Sequence, residues 1–176
     1  MNRHTVANFI STRQAQPPFA QPVPDASEGR LEVNVIFTNP RATADALKCA
    51  ETLALDLGAV IRLRAGIVVP FQLPLDEPPV SIAFTERQLT DLVSRLDADG
   101  FERTLDLYVC RDWQKTLLQI LNPDAPVVIG SSRRWWPTAE NRLVKTLRSN
   151  GHRVIVADSN RALQPLTRAL LARPCR

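Results

Sequence analysis

The chain reads as a doubly wound α/β protein, and three observations predict it. Short β-branched apolar runs alternate with stretches of helical period, giving five strands and four helices. One helix of ordinary length links the first two strands, so that connection is a crossover and the strands are parallel. The stretch from Ala125 to Asp158 is itself a strand–helix–strand unit with a small-residue loop between strand and helix.

Leu31 to Thr38 is the first strand, with Val33, Val35, Ile36 and Phe37 apolar, and Asn39-Pro40 ends it. From Ala42 the period changes. Ala46, Leu47, Ala50, Leu53, Ala54 and Leu57 recur at three- and four-residue steps, the stripe of an amphipathic helix that Gly58 closes. Ala59 to Val69 is the second strand, clearest at Val60-Ile61-Arg62-Leu63. Pro70 to Pro79 is a proline-rich surface connection.

Thr85-Glu86-Arg87-Gln88 fits a capping box and predicts a helix with Leu89, Leu92, Val93 and Leu96 on one face, ended by Gly100. Arg103 to Cys110 is the third strand. Leu105, Leu107 and Val109 alternate with Asp106 and Tyr108, a pattern that predicts a more exposed, edge-like strand. Asp112 caps the next helix, with Trp113, Leu117, Leu118 and Leu121 inward, and Asn122-Pro123 stops it. Val127 to Ile129 is a strand buried on both faces. Thr138 or Pro137 opens the last helix, Leu143, Val144 and Leu147 line it, and Gly151 ends it. Val154 to Ala157 is the fifth strand, again expected to be buried.

Domain organisation follows: a flexible N-terminal tail over 1–30, one α/β domain over 31–158, and a basic C-terminal tail over 159–176. Pro17, Pro18, Pro22 and Pro24 forbid a continuous helix in the first tail. The net charge of +4 comes from scattered arginines, so no nucleic-acid partner is expected. No apolar run has the length of a membrane span, and the start lacks a continuous signal-like core, so a cytoplasmic protein is expected. Cys49, Cys110 and Cys175 match no metal or redox spacing, and Cys49 and Cys110 read as small core hydrophobes of a reducing compartment. Two histidines, His4 and His152, argue against a zinc site.

In open α/β sheets ligands lie beyond the carboxyl ends of the strands, where the strand order reverses. Two loops qualify here: Thr38, Asn39 and Arg41 after the first strand, and Gly130, Ser131, Ser132, Arg133 and Arg134 after the fourth. Ser hydroxyls, backbone N–H groups and arginine forks suit a phosphate or another anion, and Asn39 has the groups to read a base. The competing reading is a polar strand-to-helix turn with solvated arginines. Trp135 and Trp136 suit stacking on a base or filling a partner's pocket, against plain packing over the sheet end. Neither a nucleophile elbow, nor a Walker loop, nor a complete dinucleotide fingerprint is present, so no catalytic residues are assigned.

The order of elements, the first helix ending in Leu57-Gly58 and the strand-loop Val127-Val128-Ile129-Gly130-Ser131-Ser132 resemble the universal stress protein family. The resemblance covers about residues 31 to 158. The run Ile129 to Trp136 is also similar to the universal-stress segment of potassium-sensing histidine kinases. The resemblance implies strand order 3-2-1-4-5 and a homodimer joined along the last strand, here Val154 to Ala157. It also implies an adenine nucleotide such as ATP as ligand, with an Asp after the first strand meeting the adenine and a glycine-rich loop after the fourth cradling ribose and phosphates. Asn39 stands at the Asp position, Gly130 matches the first glycine, and Arg133 occupies the place of the second. An arginine there puts a side chain where backbone must approach a triphosphate. The expectation is a non-enzymatic regulatory protein with a degenerate nucleotide- or anion-binding loop at Asn39 and Gly130 to Arg134. The alternative is an interaction module of the same fold that has lost ligand binding.

Overall fold

The computed structural model describes residues 9–14, 31–94, 103–131 and 139–157. Six strands form one parallel sheet: β1 (Phe9–Gln14), β2 (Glu32–Ile36), β3 (Val60–Val68), β4 (Arg103–Cys110), β5 (Val127–Gly130) and β6 (Val154–Ala157). Their order is β1-β4-β3-β2-β5-β6. From β2 onward this is the expected 3-2-1-4-5 arrangement, and the four helices are α1 (Pro40–Leu57), α2 (Ile82–Ser94), α3 (Trp113–Ile120) and α4 (Ala139–Ser149).

The sixth strand corrects the sequence reading. Phe9–Gln14 lies in the stretch expected to be a tail, yet it pairs in parallel with β4 from Phe9↔Thr104 to Gln14↔Val109. β4 therefore has a neighbour on each side and is not an edge strand. Asp106 and Tyr108, expected to be exposed, are buried. The alternation in β4 separates an apolar face from a polar one, and both are covered.

Alternate strand residues serve opposite faces of the sheet. Val33, Val35, Ile61, Leu63, Leu105 and Leu107 meet Ala46, Leu47, Ala50 and Leu53 of α1 and Leu89 and Val93 of α2 in the larger core. Ile36, Val127 and Ile129 meet Leu117 of α3, Leu121 and Leu143 and Leu147 of α4 in a smaller core on the other face. Complete burial of a Leu or Ile side chain contributes about 1.5–3 kcal/mol relative to exposure, so these two layers supply most of the cohesion.

Local signals explain the helix ends. Asn39 caps α1, Pro40 occupies its first turn, and Gly58 ends it at φ 60°, a left-handed conformation that a side chain would strain. Asp112 caps α3, its Oδ1 accepting from Lys115 N at 3.1 Å. Helix α2 begins a turn earlier than the Thr85 capping box predicts. Phe84 N donates to Ser81 Oγ at 3.4 Å, and the Thr85 hydroxyl donates back to the Ser81 carbonyl. Ser81, two residues past Pro79, thus takes the capping role that the sequence pattern gives to Thr85. That connection is tied to the end of β4 by Arg111, which donates to the carbonyls of Val69 and Pro70 and lies 5.5 Å from the Phe71 ring centre.

β6 was expected to be buried but is half-exposed. It stands at the sheet edge, and Val156 retains 40% of its accessible surface. None of the helices among the described residues is long and apolar enough to cross a membrane.

Candidate functional site

β2 has β3 on one side and β5 on the other, so the order reverses between β2 and β5. Thr38 and Asn39 lie just past the carboxyl end of β2, and Gly130 and Ser131 stand at and just past that of β5. Of the expected site, the structure brings these together. Ser132, Arg133 and Arg134 lie outside the described residues, as do Trp135, Trp136 and the opening of α4 at Pro137 and Thr138.

Asn39 is engaged at both ends of its amide. Its Oδ1 accepts from Ala42 N at 3.0 Å, which satisfies one of the free N–H groups at the start of α1. Its Nδ2 donates to Glu140 Oε1 at 3.3 Å. Glu140 lies in the first turn of α4, where a carboxylate is favoured by the helix dipole. Asn39 thus bridges the starts of two helices that pack on opposite faces of the sheet. Beneath it, Thr43 is fully buried and its Oγ1 accepts from Thr38 N at 3.2 Å.

Gly130 is required by packing. A Cβ built there would stand 1.8 Å from the Ala42 carbonyl oxygen and 2.3 Å from the Ala42 carbonyl carbon. The first turn of α1 rests directly on the end of β5. Ser131 N continues the sheet by donating to the Ala157 carbonyl at 2.9 Å.

Two groups at this crevice keep bonding capacity. Thr38 Oγ1 is buried without a hydrogen-bond partner among the described residues. Arg41, in the first turn of α1, is exposed. The Glu140 carboxylate, held at this crevice by Asn39, would oppose any phosphate.

A second polar constellation was missed by sequence reasoning. It lies on the sheet face opposite the larger core. Arg64 Nε donates to Asn34 Oδ1 at 2.7 Å, and its other nitrogens donate to the Tyr108 hydroxyl at 3.3 Å, the Ile120 carbonyl at 3.1 Å and Glu32 Oε1 at 3.5 Å. Arg62 pairs with Glu32 at 3.1 Å and with Asp106 at 3.3 Å. Two cations and two carboxylates balance across three adjacent strands. The signal was present: Arg62 and Arg64 interrupt an apolar strand at a spacing of two, which places both on one face. Beside them, Trp113 covers Gly66, where a Cβ would stand 2.5 Å from the indole, and lies 6.0 Å from the Tyr108 ring. Arg103 makes a separate pair with Glu51 at 2.7 Å.

Cys49 and Cys110 are free and buried, and burial pushes both thiols above their ordinary pKa. Among the described residues no group of three or more His, Cys, Asp or Glu is placed to hold a metal ion.

Neither a protein-family model nor a curated protein matches the chain. Among solved structures, a macrolide-efflux protein from Streptococcus pneumoniae is similar at a TM-score of 0.46 and 12% identity. The match covers 86% of this chain and 58% of that one.

Proposed function

We propose that this chain is a non-enzymatic regulatory protein of the universal-stress type, acting through protein contacts, with a nucleotide-binding loop that has degenerated. One observation carries the reading. The Asn39 amide, at the position where the resemblance implies an adenine-binding Asp, is engaged by Ala42 N and Glu140. Filling of the space at Gly130 by the Ala42 carbonyl adds support, because it gives that glycine a packing role. A reducing cytoplasm accords with the free buried Cys49 and Cys110. A homodimer along β6 accords with the exposed Val156 on that edge.

Calorimetry with ATP, ADP and cyclic nucleotides tests this. The wild type is expected to give no micromolar binding, and Arg133→Gly combined with Glu140→Gln is expected to recover some. Micromolar ATP binding by the wild type, abolished by Asn39→Ala, would overturn the reading in favour of a nucleotide sensor.

A second reading is favoured by Thr38 Oγ1, buried at the same crevice without a hydrogen-bond partner among the described residues. In it the loop after β5 still takes an anion, and occupancy biases partner contacts. Titration with inorganic phosphate separates the two: a saturable shift lost in Thr38→Val supports the anion module, and a flat response supports the pure interaction module.

A further inference from the structure

β2 to β6 form a doubly wound unit in which each of β2 to β5 is followed by its helix, α1 to α4. β1 stands outside that progression. Sixteen residues separate Gln14 from Leu31, and they include Pro17, Pro18, Pro22 and Pro24, which bar a single continuous helix. Among the described residues β1 pairs with β4, in register from Phe9↔Thr104 to Gln14↔Val109. The strand it covers is an interior one. Leu105, Asp106, Leu107, Tyr108, Val109 and Cys110 are all buried. Backbone N–H and C=O groups along such a strand must be paired, so a vacated β4 edge is a template for another extended segment.

We propose that the outer edge of β4 is a strand-docking surface, occupied in the resting chain by β1 and open, when β1 lifts off, to the Phe9–Gln14 segment of a second copy. The second copy is the occupant because its segment is the one whose parallel register on β4 the structure displays. Exchange of an identical element between protomers needs no new contact. β1 belongs to the same chain as β4, so its pairing is intramolecular and the chain's own strand dominates until its ladder is weakened. β1 is then both a guard against edge pairing and the means of it. This inference does not depend on the nucleotide loop.

The test uses full-length acceptor chains carrying Thr104→Cys, with and without Thr12→Pro. Thr12→Pro is made together with Arg13→Pro, because successive N–H groups of a strand point to opposite sides, so one of the two prolines removes a ladder donor and weakens the chain's own strand. The probe is a synthetic peptide of residues 7–16 carrying Phe9→Cys, since paired strands bring positions 9 and 104 within disulfide reach. An acceptor retaining Thr104 reads any reaction at Cys49, Cys110 and Cys175. Disulfide formation at position 104 is expected to rise at least tenfold in the Thr12→Pro/Arg13→Pro background. Equal yields in both backgrounds overturn the proposal. If Thr12→Pro/Arg13→Pro does not fold, a Phe9→Cys/Thr104→Cys chain oxidised to lock β1 replaces it. Labelled wild-type peptide in millimolar excess, enough to compete with the chain's own strand, is then expected to bind the reduced chain and not the locked one. Equal binding to both, or to neither, overturns the proposal.

Discussion

The Ala42 carbonyl oxygen of α1 lies 1.8 Å from the place a Cβ of residue 130 would take. That contact seats the start of α1 on the end of β5 and fixes the crevice where the strand order reverses. Because the opposing atoms are backbone, they cannot rotate away as a side chain would. Gly130→Ala is therefore expected to cost about 1–3 kcal/mol or more, as overpacking does. Urea unfolding followed by circular dichroism measures it, and an unchanged midpoint would show that the helix start yields freely.

Arg64 joins Asn34, Glu32, Tyr108 and the end of α3. Arg64→Met keeps the bulk and removes every donor. The loss of one partner from a buried ionic network costs about 3–5 kcal/mol, because the remaining groups stay desolvated. The larger part of the loss should vanish in Arg64→Met combined with Glu32→Gln and Asn34→Val. A double-mutant analysis that finds simple additivity would mean the network members act independently.

Burial raises the Cys49 thiol pKa above the ordinary 9.0. The unfolded chain then releases this proton at lower pH than the folded one. The stability tied to the neutral thiol is full below about pH 9.0 and is lost as pH rises through the folded value. The stability advantage of the wild type over Cys49→Ala, followed by urea unfolding from pH 7 upward, should shrink once the pH passes about 9.0. In native buffer a thiol reagent should modify Cys49 and Cys110 slowly, and rapidly in urea.

Val156 presents an apolar side chain on the exposed edge strand β6. A lysine on such an edge is a common natural block to strand pairing. If the proposed β6 dimer forms, Val156→Lys is expected to shift it to monomer in sedimentation analysis while leaving the circular dichroism intact. A wild type that is monomeric at high concentration would remove the β6 dimer from consideration.

The strands from β2 onward were legible because each carries its own signature. Val33, Val35 and Ile36 need no distant information to read as buried strand, and the stripe from Ala46 to Leu57 needs only its period. Asn39 and Asp112 were legible as caps for the same reason. β1 was not, because Phe9–Gln14 is a mixed polar run whose strand character comes from β4, roughly 95 residues away. Asp106 and Tyr108 were misread as exposed because alternation cannot tell water from a buried partner such as Arg62 or Arg64. At the crevice the sequence located Asn39 and Gly130, but the bond to Glu140 joins positions 101 apart and has no local trace.

The pairing of β1 with β4 also sets a timetable for synthesis. The ribosome makes Phe9–Gln14 first and Arg103–Cys110 much later. At about 5–20 residues per second the earlier strand waits about 5–20 s before its partner has been made. Through that interval it has no native partner, and a polar strand such as Phe-Ile-Ser-Thr-Arg-Gln can stay hydrated while it waits. A more apolar sequence at this position would burden the growing chain throughout that interval.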